Sequence, residues 1–159
     1  MPSTPESVIR QQWEKWSGRP GGRGVFSFLL GRIVPYTGTI GARVEEARPG
    51  YARVTLRDRR KVRNHLRSVH AVALLNLAEL ASGLALNFDM RPDARSILRG
   101  LSMEYHKKAR GLLTAEASAP VLADNHEQEL EIHTEIRDEA GDVVASAVAR
   151  WLIGPREKR

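Results

Sequence analysis

Between residues 69 and 86 the chain is apolar at almost every position, reading VHAVALLNLAELASGLAL from Val69 to Leu86. A helix that is apolar on every face lies either in lipid or at the centre of a fold. Asn76, Glu79, Ser82 and Gly83 interrupt this one. An acid in the middle of a bilayer span is costly, so the segment reads as a core helix and no membrane association is expected. The carboxylate of Glu79 must then be desolvated, paired or used.

On either side the hydrophobic period changes. Val8, Ile9, Trp13 and Trp16 fall on one helical stripe, and Ser3 with Glu6 has the spacing of a capping box. Residues 17–24 form a glycine-rich loop, and 25–33 a short apolar helix or turn closed by Pro35. From there the period is two. Strands are expected at 39–47 and 51–58, joined by Arg48-Pro49-Gly50, with Ala52, Val54 and Leu56 on one face. Four more follow the long helix, at 97–107, 112–119, 128–137 and 143–153. In the first of these Ile97, Leu101, Met103 and Tyr105 share a face, and in the third Leu130, Ile132, Thr134 and Ile136 do. His106 and His133 fall on polar faces, and the tail from Arg156 is expected to fray. The simplest arrangement is α+β: a curved, mainly antiparallel sheet wrapped around one long helix. It forms a single domain at 35–155 with an N-terminal helical extension at 1–34.

The composition narrows the chemistry. With no cysteine among 159 residues there is no disulfide and no thiolate nucleophile or metal ligand. His65 and His70, five apart, do not share a helical face, so no metal site is expected. No secretory leader is evident in the residues, which makes the cytoplasm the default compartment. The net charge of +6 is concentrated locally. Arg57, Arg59, Arg60, Lys61, Arg63 and Arg67 form one basic run, and Lys107, Lys108 and Arg110 a second. Either suits an anionic partner, or is a solvated surface. The absence of interleaved aromatics argues against nucleic acid.

The order strand-strand-helix-four strands resembles the hotdog fold. Asn64, His70 and Glu79 resemble the acyl-CoA thioesterases related to the phenylacetyl-CoA-pathway and 4-hydroxybenzoyl-CoA enzymes, in which Asn precedes His-Gly-Gly and an acid follows the histidine by nine residues. Glu135-Ile136-Arg137-Asp138 with Gly141, Val144-Ala145 and Trp151 resemble the final strands of that family. His70-Ala71-Val72 stands where those enzymes commonly have His-Gly-Gly, which places the bulk of Val72 where a thioester carbonyl would approach. The sequence is therefore closer to a thioesterase-like side branch. The resemblance implies hydrolysis of an acyl-CoA, with coenzyme A entering as part of the substrate and no further cofactor. It also implies sites built across a homodimer interface, with pairing into homotetramers open.

The expected catalytic group is Glu79 with His70 and Asn64. Glu79 would activate water or attack the carbonyl, and the N–H groups of Ala71 and Val72 at the helix start would serve the oxyanion. Nine residues at 100° each put Glu79 about 180° round from His70 and roughly 13 Å along the axis. One helix cannot bring both to one carbonyl, so two subunits are needed. Asn76, Glu79 and Gly83 share a stripe that would line the cleft, with Asn64 and His65 near the acyl or pantetheine end. The cluster Lys107, Lys108 and Arg110, at a strand end, is favoured over the 57–67 run for the phosphates of CoA. His70 fits a helix cap, Asn64 a turn and Asn76 a core amide equally well. A hotdog hydratase or dehydratase and a non-catalytic acyl-CoA or lipid-binding protein are the alternatives.

Overall fold

The computed structural model describes residues 5–156, with side chains from Val8 onward. The Ser3–Glu6 capping box and the last three residues of the tail lie outside what is described. Helix α1 (Pro5–Trp16) and helix α2 (Gly22–Ile33) form an N-terminal hairpin, followed by the single turn α3 (Pro35–Gly38). Strands β1 (Arg43–Arg48) and β2 (Tyr51–Arg57) lead to the central helix α4 (Ala71–Asn87). Strands β3 (Ala94–Tyr105), β4 (Leu112–Ser118), β5 (Gln128–Arg137) and β6 (Val143–Pro155) complete the chain. The six strands make one sheet in the order β1-β2-β4-β5-β6-β3, with every neighbouring pair antiparallel.

The sheet can curl around α4 because its inner face is lined with small side chains. One cross-strand row reads Ala47, Ala52, Ala117, Thr134, Ala147 and Met103. The next is Val44, Val54, Ala115, Ile136, Ala145 and Tyr105. Alanines leave room for the leucines of α4, and Leu74, Leu77 and Leu84 fill it at 4% exposure or less. The outer face stays wet, with Glu129, Glu131, His133 and Glu135 exposed along β5. His106 is likewise at the surface, where its Nε2 shares a 2.8 Å hydrogen bond with Ser146.

The N-terminal helices cover the side of α4 that the sheet leaves open. Trp13 of α1 meets Phe26 of α2 edge-on, ring centroids 5.0 Å apart. Gly22 allows that approach, since a Cβ there would lie 1.8 Å from the Trp16 carbonyl oxygen. The first turn of α2 therefore falls within residues expected to be loop. Similarly, 39–42 precede β1 instead of belonging to it.

Two further expectations are corrected. A β-bulge between Leu98 and Gly100 shifts the register of β3 against β6. Beyond it Leu101, Met103 and Tyr105 share the inner face, but before it Ser96 and Leu98 do, and Ile97 turns outward at 43% exposure. Arg156 is not frayed: its N–H donates to the Asp93 carbonyl at 2.8 Å and its Nε to that of Ala94. Because Leu77 is wholly enclosed by this arrangement, Leu77→Ala should cost about 2–5 kcal/mol. Thermal unfolding would show it as a fall in Tm of roughly 5–15 °C.

Candidate functional site

The helix start is organised by the residues that the motif singled out. His70 is the N-cap of α4, and its Nδ1 accepts the Val72 N–H at 3.1 Å. Ala73 and Leu74 donate back to the His70 carbonyl. The expected oxyanion pair is thus reduced to one donor. The Val72 N–H is occupied by the cap, whereas the Ala71 N–H meets no acceptor among the described residues. Asn64 is an Asx-turn residue, its Oδ1 accepting from the N–H groups of Leu66 and Ser68 and from the Ser68 hydroxyl. It holds the 64–70 loop that delivers His70. His65 is exposed on that loop.

Two clefts flank this end of α4. One, about 330 Å³, is bordered by Asn64, Ala71, Tyr105, Lys107 and Lys108, with the Tyr105 hydroxyl donating to the Ala71 carbonyl at 3.2 Å. The other, about 280 Å³, is bordered by Tyr36, Lys61, Arg63, His70, Val72 and Asn76. Val72 is half exposed into this second cleft, away from the one that Ala71 borders. Its bulk therefore does not stand over the remaining donor.

Glu79 lies in a different chamber, about 230 Å³, between the C-terminal half of α4, the N-terminal helices and the start of β3. Gly83 shares it, as the stripe predicts; Asn76 does not. The turn α3 sits over Asn76, which is 5% exposed, and the Tyr36 carbonyl accepts from its Nδ2 at 3.4 Å. Its Oδ1 finds no donor among the described residues. Glu79 is half-buried, its carboxylate has no ion-pair or hydrogen-bond partner among the described residues, and burial alone pushes its pKa above the usual carboxylate range. It is the one acid of the central helix, and it is left unpaired.

The basic groups are more committed than their spacing suggests. Lys107 bridges Asp138 and Asp142 of the β5–β6 hairpin at 2.7 and 2.6 Å. Arg110 donates from Nε to the Arg67 carbonyl at 3.3 Å, bracing the 64–70 loop. In the other run Arg63 pairs with Asp58 at 2.6 Å, which holds that carboxyl below its ordinary pKa. Arg59 donates to the carbonyls of Ile40 and Gly41. Lys108, which borders the Ala71 cleft, has no ion-pair partner among the described residues.

The sequence reading missed the walls of the Glu79 chamber. Ile9, Leu30 and Val34 come from the N-terminal extension, and Ser96 and Trp151 from β3 and β6. Gly83 in the middle of a core helix was the available signal. Among the described residues no group of His, Asp and Glu could hold a metal, and no helix is long and apolar enough to cross a membrane.

Two stability measurements check these assignments. His70→Ala should cost roughly 0.5–2 kcal/mol, and His70→Asn should recover most of it, because both His and Asn can accept the Val72 N–H. Glu79 binds its proton more tightly in the folded chain than in the unfolded one. Its protonated form therefore adds stability at low pH that is lost as pH rises through the elevated pKa. Glu79→Gln should raise Tm at pH 8, and the gain should vanish by about pH 4.

Known structures share this architecture. A structural-genomics crystal structure is 31% identical, matching 94% of this chain and 99% of its own with a TM-score of 0.80. A Pseudomonas aeruginosa protein described as a "probable thioesterase" is 22% identical, covering 87% of this chain and 97% of that one with a TM-score of 0.75. A Haemophilus influenzae thioesterase, 14% identical, covers 82% and 91% with a TM-score of 0.69. No curated protein matches the sequence. Residues 22–153 match the model of the family described as "Domain of unknown function (DUF4442)". The chain belongs to that family and has the hotdog fold.

Proposed function

We propose that the protein is a dimeric acyl-CoA thioesterase, akin to the phenylacetyl-CoA and 4-hydroxybenzoyl-CoA enzymes, that uses Glu79 of one subunit and the Ala71 N–H of the other. The observation that carries this reading is the unpaired, desolvated Glu79 beside an apolar chamber in the middle of the core helix. Thioesterase descriptions of proteins with this fold support the reaction class.

The sheet edges favour the dimer. The β1 edge is six residues long, is bulged, and has its Val44 N–H taken by Ser27 of α2 at 2.9 Å. The other edge, β3, runs for twelve residues and, among the described residues, pairs only with β6. A long open edge is a template for pairing. If two β3 strands pair antiparallel about a two-fold axis, the Ser96 end of one subunit meets the Tyr105 end of the other. Ser96 borders the Glu79 chamber and Tyr105 the Ala71 cleft. The same pairing therefore joins the carboxylate to the oxyanion donor that a single helix keeps apart.

In the reaction the Ala71 N–H, reinforced by the helix dipole, polarises the thioester oxygen. Glu79 takes a proton from water as the water oxygen bonds to the carbonyl carbon. The tetrahedral intermediate collapses, the carbon–sulfur bond breaks, and the thiolate leaves with the proton that Glu79 held. Acid and CoA are the products. Lys108 lies beside the Ala71 cleft and is the cation of the second cluster available to the CoA phosphates; Lys107 and Arg110 hold the frame around it. His70 acts through its cap, positioning the donor.

Proline at the first helical position is tolerated and has no N–H, and His70 already has the extended backbone that precedes proline (φ −63°, ψ 141°). Ala71→Pro should therefore fold while losing turnover by about 10²–10³-fold, and Glu79→Gln should lose about 10²–10⁴-fold. Mixed in one dimer, the two inactive variants should regain hydrolysis, since one of the two sites then has both wild-type groups. Sedimentation together with a thiol-release assay on acyl-CoAs checks this. Sites confined to one chain would leave the mixture dead, and acyl-CoA binding without turnover in the wild type would point to a binding protein instead.

A further inference from the structure

Gly83 stands in the interior of a 17-residue core helix, where glycine is about 1 kcal/mol less favourable than alanine. Nothing in the packing demands it. A Cβ at this position would meet only the six-membered ring of Trp151, at 3.5 Å, which is ordinary contact distance. The glycine leaves space, and that space belongs to the Glu79 chamber.

Three polar side chains in the chamber walls, those of Ser96, Asn87 and Trp151, are already paired. Ser96 donates its hydroxyl to Asn87 Oδ1 at 2.6 Å, Asn87 Nδ2 donates to the Gly83 carbonyl at 2.8 Å, and the Trp151 indole N–H donates to Ser82 at 3.4 Å. Most of the remaining surface is hydrocarbon from Ile9, Leu30, Val34, Leu84 and Phe88, with Thr37 beside it. Among the described residues the Thr37 hydroxyl and the Glu79 carboxylate are left without a partner, and Glu79 is the one ionisable group in the walls. A chamber of this kind recognises an apolar chain that ends in the group on which Glu79 acts.

We propose that this chamber holds the acyl chain of the substrate, that Gly83 keeps it open across the face of Trp151, and that Ile9 of α1 closes its far end. The N-terminal helices then set chain length. Taking a methylene as about the size of a water, roughly 30 Å³, a cleft of about 230 Å³ suits a chain of medium length, on the order of eight carbons. The link to a thioester rests on the thioesterase reading; the chamber's preference for an apolar chain does not.

The test separates the two. Octanoate binding to the intact protein is measured by calorimetry alongside hydrolysis of butanoyl-, octanoyl- and dodecanoyl-CoA. Gly83→Ala removes a helix-interior glycine without a clash, so its Tm should equal or exceed that of wild type. It should weaken octanoate binding about tenfold and lower the octanoyl-to-butanoyl ratio of kcat/KM by a similar factor. Ile9→Ala should shift the preference toward dodecanoyl-CoA. Octanoate that does not bind, or that binds Gly83→Ala as tightly as wild type, overturns the chamber assignment even in an active thioesterase. Octanoate binding that Gly83→Ala weakens, in a protein that hydrolyses none of the thioesters, supports the chamber and overturns the thioesterase reading.

Discussion

The structure depends on covering a helix that has no polar face. Helix α4 is apolar all round, and its leucines leave water only if something lies on every side of it. A flat sheet covers one side. A strongly curved sheet covers more, and the alanine rows of β1, β2, β4 and β6 permit that curvature by letting the helix sink into the concave face. The remaining side falls to α1 and α2, which arrive before the sheet in sequence and close over the helix after it in space. The N-terminal extension is thus part of the core, with Phe26 and Leu30 as buried as the strand residues. Where that cover is incomplete the gaps become clefts, and Glu79 sits in one of them.

Much of this was legible because burial imposes period. β2 and β5 alternate as the sequence predicts, since each has one wet face and one face on α4. The bulge in β3 was not legible. Inserting Arg99 changes which side chains face inward without changing the composition of the strand, so Ile97 looked like a core residue and is not. The start of α2 was hidden for a related reason. Glycines normally signal a loop, but Gly22 is there for close approach to the Trp16 carbonyl, which only the three-dimensional path reveals.

The candidate site was legible at its carboxylate and less so elsewhere. A lone acid on an apolar helix announces itself at any level of analysis. The histidine and asparagine of the motif carry a different message: both are absorbed in shaping the helix start, one as cap and one as turn. Basic runs were the least informative, because charge along a sequence does not say which cations are already paired. Lys107 is held by two hairpin carboxylates that come 31 and 35 residues later in the chain, while its neighbour Lys108 remains available.

Three local rules of stable packing are broken in α4, and all three breaks fall on one stripe. Among the described residues Asn76 has a buried carbonyl oxygen without a donor and Glu79 a desolvated charge without a partner, and Gly83 has a missing side chain in the helix interior. Each is individually destabilising. Elsewhere the same helix is conventional, with leucines and alanines packed against the sheet. Scattered violations would suggest a poorly optimised core; violations aligned along one face suggest a surface shaped for something other than stability. The turn α3 lies over the first of the three, and the clefts on either side of it separate Asn76 from the other two. The cost of the stripe is therefore concentrated where the helix meets the N-terminal extension instead of the sheet, so the sheet supplies the stability that allows this face of α4 to be spent on function.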